Sequence, residues 1–255
     1  YLSARGERFC VFDTRSRGPF ADEFSKSFPD VPMYFEVIDD DIVLGVREIL
    51  LSPGVSREEP CIKLALERDI SVVGDIAVFL RNIRERNGKK VVAITGSNGK
   101  STVTTLVGAA AEKSGIRVAV GGNIGTPALA LLDEDADLYV LELSSFQLES
   151  TPMAQLDVAC VLNVSADHMD RYDRFSDYVM AKQKIYRGAK KVVYALADIL
   201  TRPPVAENVE RFGFGLAPTQ ECEEKQFYLS ADRAWLMEGK NTLISPENIR
   251  VKGDH

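Results

Sequence analysis

Short apolar runs recur along the chain at lengths that suit β-strands, and stretches with a helical apolar period stand between them. The runs are "FCVFD", "VREILLSPG", "ISVVGD", "KVVAITG", "RVAVGG", "DLYVLELSS", "VACVLNVS" and "KKVVYAL". Their near-continuous apolar character predicts strands covered on both faces, and the alternation with helical stretches predicts an α/β fold built on a parallel sheet. From Glu207 onward the pattern shortens to "RFGFG", "QFYLS", "RAWLM", "TLIS" and "IRVKG", separated by Gly, Pro and polar turns. That change predicts a short antiparallel sheet appended to the parallel one.

The polar stretch "RERNGKK" at 84–90, with turn residues Asn87 and Gly88, marks an expected domain boundary. Residues 1–88 then form a small Rossmann-like unit, and 89–255 a P-loop-type parallel-sheet domain. The opening "YLSARG" reads as a helix end closing on Gly6, and the final "NIRVKGDH" as a strand and turn. A fragment lacking both ends of a longer protein is expected.

Composition adds exclusions. With 255 residues, 45% hydrophobic and 27% charged, the chain has the make-up of a soluble globular protein. Its 31 Lys and Arg against 38 Asp and Glu give a formal charge of −7, with no basic run, so nucleic acid is not an expected partner. Cys10, Cys61, Cys160 and Cys222 stand far apart and read as reduced thiols without a metal. No apolar run reaches the roughly 20 residues of a membrane span, and a cytoplasmic, monomeric protein is expected.

The stretch "VVAITGSNGKSTVTTLVGAAAEKSG" at 91–115 carries the first chemistry. A P-loop is written G-x-x-x-x-G-K-[ST] and needs a strand before it and a helix after it. Gly99, Lys100 and Ser101 fit that pattern, but Ile94 occupies the first glycine position and Gly96 follows two residues later. In this context backbone N–H groups bind phosphate oxygens, Lys100 reaches the β- and γ-phosphates, and the Ser101 or Thr102 hydroxyl joins a Mg²⁺ shell. The competing reading is a tight turn that uses glycine for positive φ.

Glu142 interrupts the otherwise apolar "DLYVLELSSF", so it needs a cation or strong donors; a metal ion and a partner Lys or Arg are the alternatives. His168, flanked by Asp167 and Asp170 in "LNVSADHMDRY", is either a metal ligand or a hydrogen-bonded structural residue. In "FSDYVMAKQKIYRGAK", Lys182 shares a helix face with Tyr178, Ala181, Ile185 and Tyr186, which by spacing alone reads as a snorkelling side chain. Asp13 ends the strand "RFCVFD", where α/β folds often place an acid that reads a ligand, and Ser52, Pro53 and Gly54 form a turn.

The ordered set "TGSNGKST", "GGNIGTPAL", "LELSSFQLE" and "LNVSADHMDRY" resembles the Mur ligases, ATP-dependent amide-forming enzymes of peptidoglycan synthesis. "DTR" at 13–15, "SPG", "GDIAVF" and "SSFQLE" look like the branch that adds D-glutamate to UDP-N-acetylmuramoyl-L-alanine. In that family T-G-S-N-G-K-S-T is itself the phosphate loop, so the resemblance implies ATP at Gly96, Ser97, Asn98, Gly99, Lys100, Ser101 and Thr102. It implies Mg²⁺ ligation by Ser101, Glu142, His168 and a carbamylated Lys182, with Asn123, Ser145 and Gln147 along the substrate path. Asp13, Thr14 and Arg15 match the loop that receives uracil, and Ser52 to Gly54 a segment near the diphosphate. The family's first strand with its glycine-rich turn and its third domain have no counterpart here, so the chain alone is expected to be inactive. Other readings are a sister ligase, a folylpolyglutamate synthase or a non-catalytic nucleotide-binding module.

Overall fold

The computed structural model describes residues 1–218 and 225–245. Cys222 and the expected strand at 249–253 lie outside the described residues. The chain divides into two compact units, Tyr1–Gly74 and Asp75–His255.

The first unit runs β1 (Val11–Asp13), α1 (Ala21–Ser27), β2 (Met33–Phe35), α2 (Asp40–Leu44), β3 (Glu48–Leu50), α3 (Pro60–Glu67) and β4 (Ser71–Val73). β1 pairs in parallel with β2, and β3 with β4. Pro60 opens α3 at the position where its fixed φ suits a helix, and the Asp39 carboxylate caps α2 by accepting from the Asp41 N–H. Val43, Leu51, Ile62, Ala65 and Val72 form the core. The opening "YLSARG" is a single 3₁₀ turn, Ser3–Arg5, closed by Gly6.

The second unit begins with α4 (Asp75–Arg84), then β5 (Lys90–Thr95), α5 (Lys100–Lys113), β6 (Val118–Gly122), β7 (Leu138–Glu142), α6 (Ser145–Glu149), β8 (Val158–Val161) and α7 (Phe175–Gln183). It closes with β9 (Lys191–Ala195), β10 (Glu210–Gly215), β11 (Lys225–Leu229), β12 (Leu236–Glu238) and β13 (Asn241–Ile244). The boundary therefore falls at Gly74 rather than at the turn near Asn87. The apolar face of α4 decides it: Ile76, Phe79, Leu80 and Ile83 are buried in the main core, with Phe79 edge-on to Tyr139 at 5.4 Å. A turn signal marks a chain reversal, whereas a buried amphipathic face fixes which core a helix belongs to.

The sheet order is β13-β12-β11-β10-β9-β8-β5-β7-β6. Every pairing from β6 across to β11 is parallel, so "RFGFG" extends the parallel sheet, and only β11-β12-β13 pair antiparallel. The expected antiparallel addition is thus confined to the last two strands. β5 lies between β7 and β8, with α5 leading from it toward β6 on one side and β7 leading by α6 to β8 on the other. The loop after β5 sits at that topological switch point, where open α/β sheets bind ligands.

Candidate functional site

Ile94, 1% exposed, is a core residue of β5 that packs with Val140 and Cys160, and its carbonyl accepts from the Leu143 N–H at 2.9 Å. The position that a generic P-loop gives to glycine is here still strand. The loop proper starts at Gly96 and ends at Gly99, whose φ of 77° at the start of α5 is a left-handed conformation that costs about 1–2 kcal/mol for residues with a β-carbon.

The loop is clasped to the chain beyond β8. Asn98 N–H donates to Asn163 Oδ1 at 2.9 Å, Asn163 Nδ2 returns a bond to the Asn98 carbonyl at 3.0 Å, and Ser97 N–H donates to the Asn163 carbonyl at 3.0 Å. Ser97 Oγ bonds the Ser165 carbonyl, the Ser165 N–H and the Tyr178 hydroxyl, each at 3.0 Å. Ser97 and Asn98 thus hold the loop's shape. The donors at the helix start are the first N–H groups of α5, which precede the bond from Val103 N–H to the Gly99 carbonyl. Thr102 is exposed in that first turn.

Two lysines meet at one carbonyl. Lys100 Nζ donates to Gly96 O and Ser97 O, both at 3.0 Å, and Lys182 Nζ donates to Gly96 O at 2.8 Å. Lys182 is 2% exposed, and its ammonium stands 4.6 Å from the Tyr178 ring centroid. Burial first, and the charge of Lys100 second, push its pKa down to about 7. An inward lysine on α7 is therefore a desolvated amine rather than a snorkelling one.

Glu142, at the end of β7, is 2% exposed. Its carboxylate accepts from Ser101 Oγ at 2.7 Å and Asn123 Nδ2 at 2.8 Å, and no Lys or Arg pairs with it among the described residues. The partner-cation alternative is thereby set aside. A buried carboxylate held only by neutral donors, one of them a hydroxyl of the phosphate loop, suits a hard divalent cation with oxygen ligands. Among the described residues no group of three or more His, Cys, Asp or Glu side chains comes together, so a metal here would draw on this carboxylate, hydroxyls and the amine site.

His168 stands apart from that cluster. Its backbone adopts φ 54°, uncommon for a residue with a β-carbon, and its Nε2 lies 3.5 Å from Asp167 Oδ2. Its ring is 5.0 Å from Phe146 and 6.4 Å from Tyr178, the tyrosine that also touches Ser97 and Lys182. No hydrogen bond joins it to Glu142 or Lys182 among the described residues.

Ser145 and Gln147 are buried in α6. Gln147 accepts from Ser144 N–H at 3.1 Å, Ser144 Oγ accepts from Gln147 N–H at 3.2 Å, and Gln147 Nε2 donates to Asp75 Oδ2 at 3.3 Å. Gln147 is the far half of a capping box, which accounts for its burial without a ligand. Asn163 and Asp75 are not singled out by the sequence, and Tyr178 only as a member of the helix face that carries Lys182; the available signal at Asn163 is a polar residue directly after an apolar strand.

In the first unit, Asp13 at the end of β1 accepts from Arg15 Nε at 2.8 Å, Nη2 at 2.7 Å and the backbone N–H at 3.0 Å. Those bonds hold its carboxyl down to about 2. Thr14 and Arg15 are exposed beside it, and the turn at Ser52, Pro53 and Gly54 follows β3, with Val55 N–H bonded to Ser52 O at 3.0 Å. Both segments lie just past the carboxyl ends of parallel strands, the side from which such sheets meet ligands.

Comparison with known proteins matches residues 94–242 to the Mur ligase middle domain and residues 1–74 to the MurD-like N-terminal domain of Mur ligases. The UDP-N-acetylmuramoylalanine--D-glutamate ligase of Teredinibacter turnerae is 50% identical over 258 residues, and that of Pseudomonas aeruginosa 44% over 257. Each alignment takes in 100% of this chain and 56% of the relative, so the chain spans little more than half the length of these curated relatives. Among solved structures, UDP-N-acetylmuramate:L-alanyl-gamma-D-glutamyl-meso-diaminopimelate ligase from Neisseria meningitides shares the fold, with a TM-score of 0.55 at 12% identity over 97% of this chain and 83% of that one. The middle-domain match extends over more than half of the chain and takes in the loop at Gly96, the Glu142 strand end and the Lys182 helix, and the chain belongs to the Mur ligase family.

Proposed function

We propose that this chain supplies the uridine-nucleotide and ATP-handling units of a ligase that joins D-glutamate to UDP-N-acetylmuramoyl-L-alanine in peptidoglycan synthesis. The observation that carries the reading is Glu142: a buried carboxylate satisfied by Ser101 and Asn123 alone, on the strand beside the phosphate loop. The high identity to D-glutamate ligases supports the choice of amino acid.

In this mechanism a carboxylate oxygen of the UDP substrate attacks the γ-phosphorus of ATP, the bridging P–O bond breaks and ADP leaves. The amine of D-glutamate then attacks the acyl carbon, and phosphate departs. The N–H groups at the start of α5 orient the phosphates, and Lys100 turns from the Gly96 and Ser97 carbonyls to neutralise the transferred group. Mg²⁺, when bound, supplies further charge neutralisation on the phosphoryl oxygens, with Ser101 and Glu142 as the residues that would hold it and His168 and Lys182 serving a second ion. Near neutral pH the Lys182 amine is partly unprotonated and nucleophilic. Its nitrogen attacks CO₂, a C–N bond forms, a proton passes to water, and the resulting carbamate is an anionic ligand. Asp13, held anionic by Arg15, accepts from the uracil N3–H.

The test is phosphate release from ATP by the protein that carries this chain, given UDP-N-acetylmuramoyl-L-alanine and D-glutamate. Lys100→Ala is expected to abolish most turnover while leaving uridine-nucleotide binding intact; near-normal turnover refutes the assignment. Absence of uridine diphosphate binding would favour the folate branch, and Mg-ATP binding without phosphate release a non-catalytic module.

A further inference from the structure

The carbonyls of Gly96, Ser97 and Asn98 all accept from donors elsewhere in the chain. Their direction matters in an anion site, because a carbonyl oxygen that faces a phosphate repels it, whereas an N–H attracts it. Lys100 holds the Gly96 and Ser97 carbonyls, and Lys182 shares the first. In the reaction proposed above Lys100 turns to the phosphate and gives up both. The Asn98 carbonyl is held differently. Its donor is the side-chain amide of Asn163, which is neutral and is not drawn away when phosphate arrives.

Asn163 engages Asn98 twice. Its Oδ1 accepts from the Asn98 N–H at 2.9 Å and its Nδ2 donates to the Asn98 carbonyl at 3.0 Å, the exchange that a neighbouring β-strand would supply. A primary amide offers that acceptor and donor together; Leu has its size and neither group.

The amide stands on a fixed base. Asn163 O accepts from Ser97 N–H at 3.0 Å, Val164 N–H donates to Asp198 Oδ2 at 2.9 Å, and Ser165 N–H donates to Ser97 Oγ at 3.0 Å. Asp198 is itself held, since its Oδ1 accepts from Leu200 N–H at 3.0 Å. The loop comes this close because Gly96 has no side chain: a β-carbon there would lie 3.1 Å from Leu162 Cβ and 3.4 Å from both the Asn163 nitrogen and the Asn98 oxygen. With Asn98 pinned, Gly99 takes its φ of 77° and the first N–H groups of α5 follow as the open donors.

We infer that Asn163 is a positioning residue for nucleotide binding: it keeps the Asn98 carbonyl turned out of the phosphate site while Lys100 changes partners. It acts through Asn98 and not by contact with the nucleotide. The inference rests on the reading of this loop as an ATP site, and its test separates the two.

The measurement is calorimetric titration of ADP, in EDTA, into the parent protein, Asn163→Ala and Asn163→Leu. Asn163→Ala is expected to bind ADP about tenfold more weakly, because both bonds to Asn98 are lost. Asn163→Leu, which keeps the size and also keeps water from replacing the amide, is expected to bind at least as weakly as Asn163→Ala. A packing role predicts the opposite, with Leu close to the parent. ADP affinity within about twofold of the parent in Asn163→Leu overturns the proposal, whatever Asn163→Ala does. A parent that binds no ADP strikes the ATP reading instead. The parent alone supplies a second measurement, hydrogen exchange of the Asn98 amide followed by nuclear magnetic resonance. Its protection is expected to persist at saturating ADP; loss of protection on ADP binding overturns the proposal even where neither variant folds.

Discussion

Replacing Lys182 with Met isolates the electrostatic cost of the buried amine. In the folded chain this group titrates near 7 because it is desolvated and close to Lys100, against 10.5 as its ordinary value. Between those two values the unfolded chain binds more protons than the folded one, so stability rises with pH. The span from 10.5 down to about 7 corresponds to about 5 kcal/mol of destabilisation, fully present below the folded pKa and relieved as pH climbs toward the unfolded one. From about pH 7 to about pH 8.5 the gain amounts to about 1.5 kcal/mol. At higher pH the buried Cys160 thiol, pushed up to about 12, brings an opposing slope as the unfolded thiol titrates first. Met keeps the apolar stem's packing but loses the bond to Gly96 O and the contact with Tyr178, together about 2 kcal/mol. Lys182→Met is therefore expected to be more stable than the parent by about 2–3 kcal/mol near pH 6.5, and to lack the parent's rise up to about pH 8.5. Urea unfolding followed by circular dichroism in bicarbonate-free buffer measures both. Parallel pH curves for the two proteins would refute the desolvated amine.

Ile94→Gly, which restores the generic first glycine, is expected to destabilise the second unit by about 4 kcal/mol without tightening nucleotide binding, because Ile94 is a core side chain; chemical denaturation and calorimetric ATP titration check this. Glu142→Gln keeps the hydrogen-bonding shape toward Ser101 and Asn123, so stability should move by only about 1 kcal/mol, while turnover falls about a hundredfold or more with a raised Mg²⁺ requirement. Binding of UDP-N-acetylmuramoyl-L-alanine, whose esterified phosphates gain no proton in this range, should stay flat as pH falls from neutral to about 5, since Asp13 ionises near 2, and should drop about tenfold in Asp13→Ala; loss of binding already near pH 6 would contradict the Arg15 pairing.

The sequence was most legible where the physics is local and strong. β5, β6, β7, β8 and β9 appear as apolar runs because both sheet faces are covered, and Glu142 stood out for the same reason: one charge in such a run has few explanations. β2, three residues within "VPMYFEV", is absent from the apolar runs read from the sequence. α4 was assigned to the wrong unit because the Asn87–Gly88 turn is visible in the text, whereas the packing of Phe79 on Tyr139 is not. β10 was read as antiparallel because its glycines look like turns; they face Leu196, where a β-carbon at Gly213 would come within 2.3 Å of a side-chain carbon. Lys182 lay on an inward stripe by spacing, yet periodicity alone cannot separate a snorkelling lysine from a buried one. The family resemblance implies ligand contacts at Ser97 and Gln147, and their side chains also form the loop clasp and the helix cap. Those bonds depend on Ser165, Tyr178 and Asp75, which are distant in sequence.

The central claim is that the loop at Gly96 and the Glu142 cluster serve to activate a carboxylate. It is tested most directly by placing a heavy oxygen isotope in the carboxylate of UDP-N-acetylmuramoyl-L-alanine and analysing the phosphate released with ATP and D-glutamate by mass spectrometry. Transfer of one labelled oxygen to phosphate, lost in Lys100→Ala, is the predicted result. Release of unlabelled phosphate would contradict it.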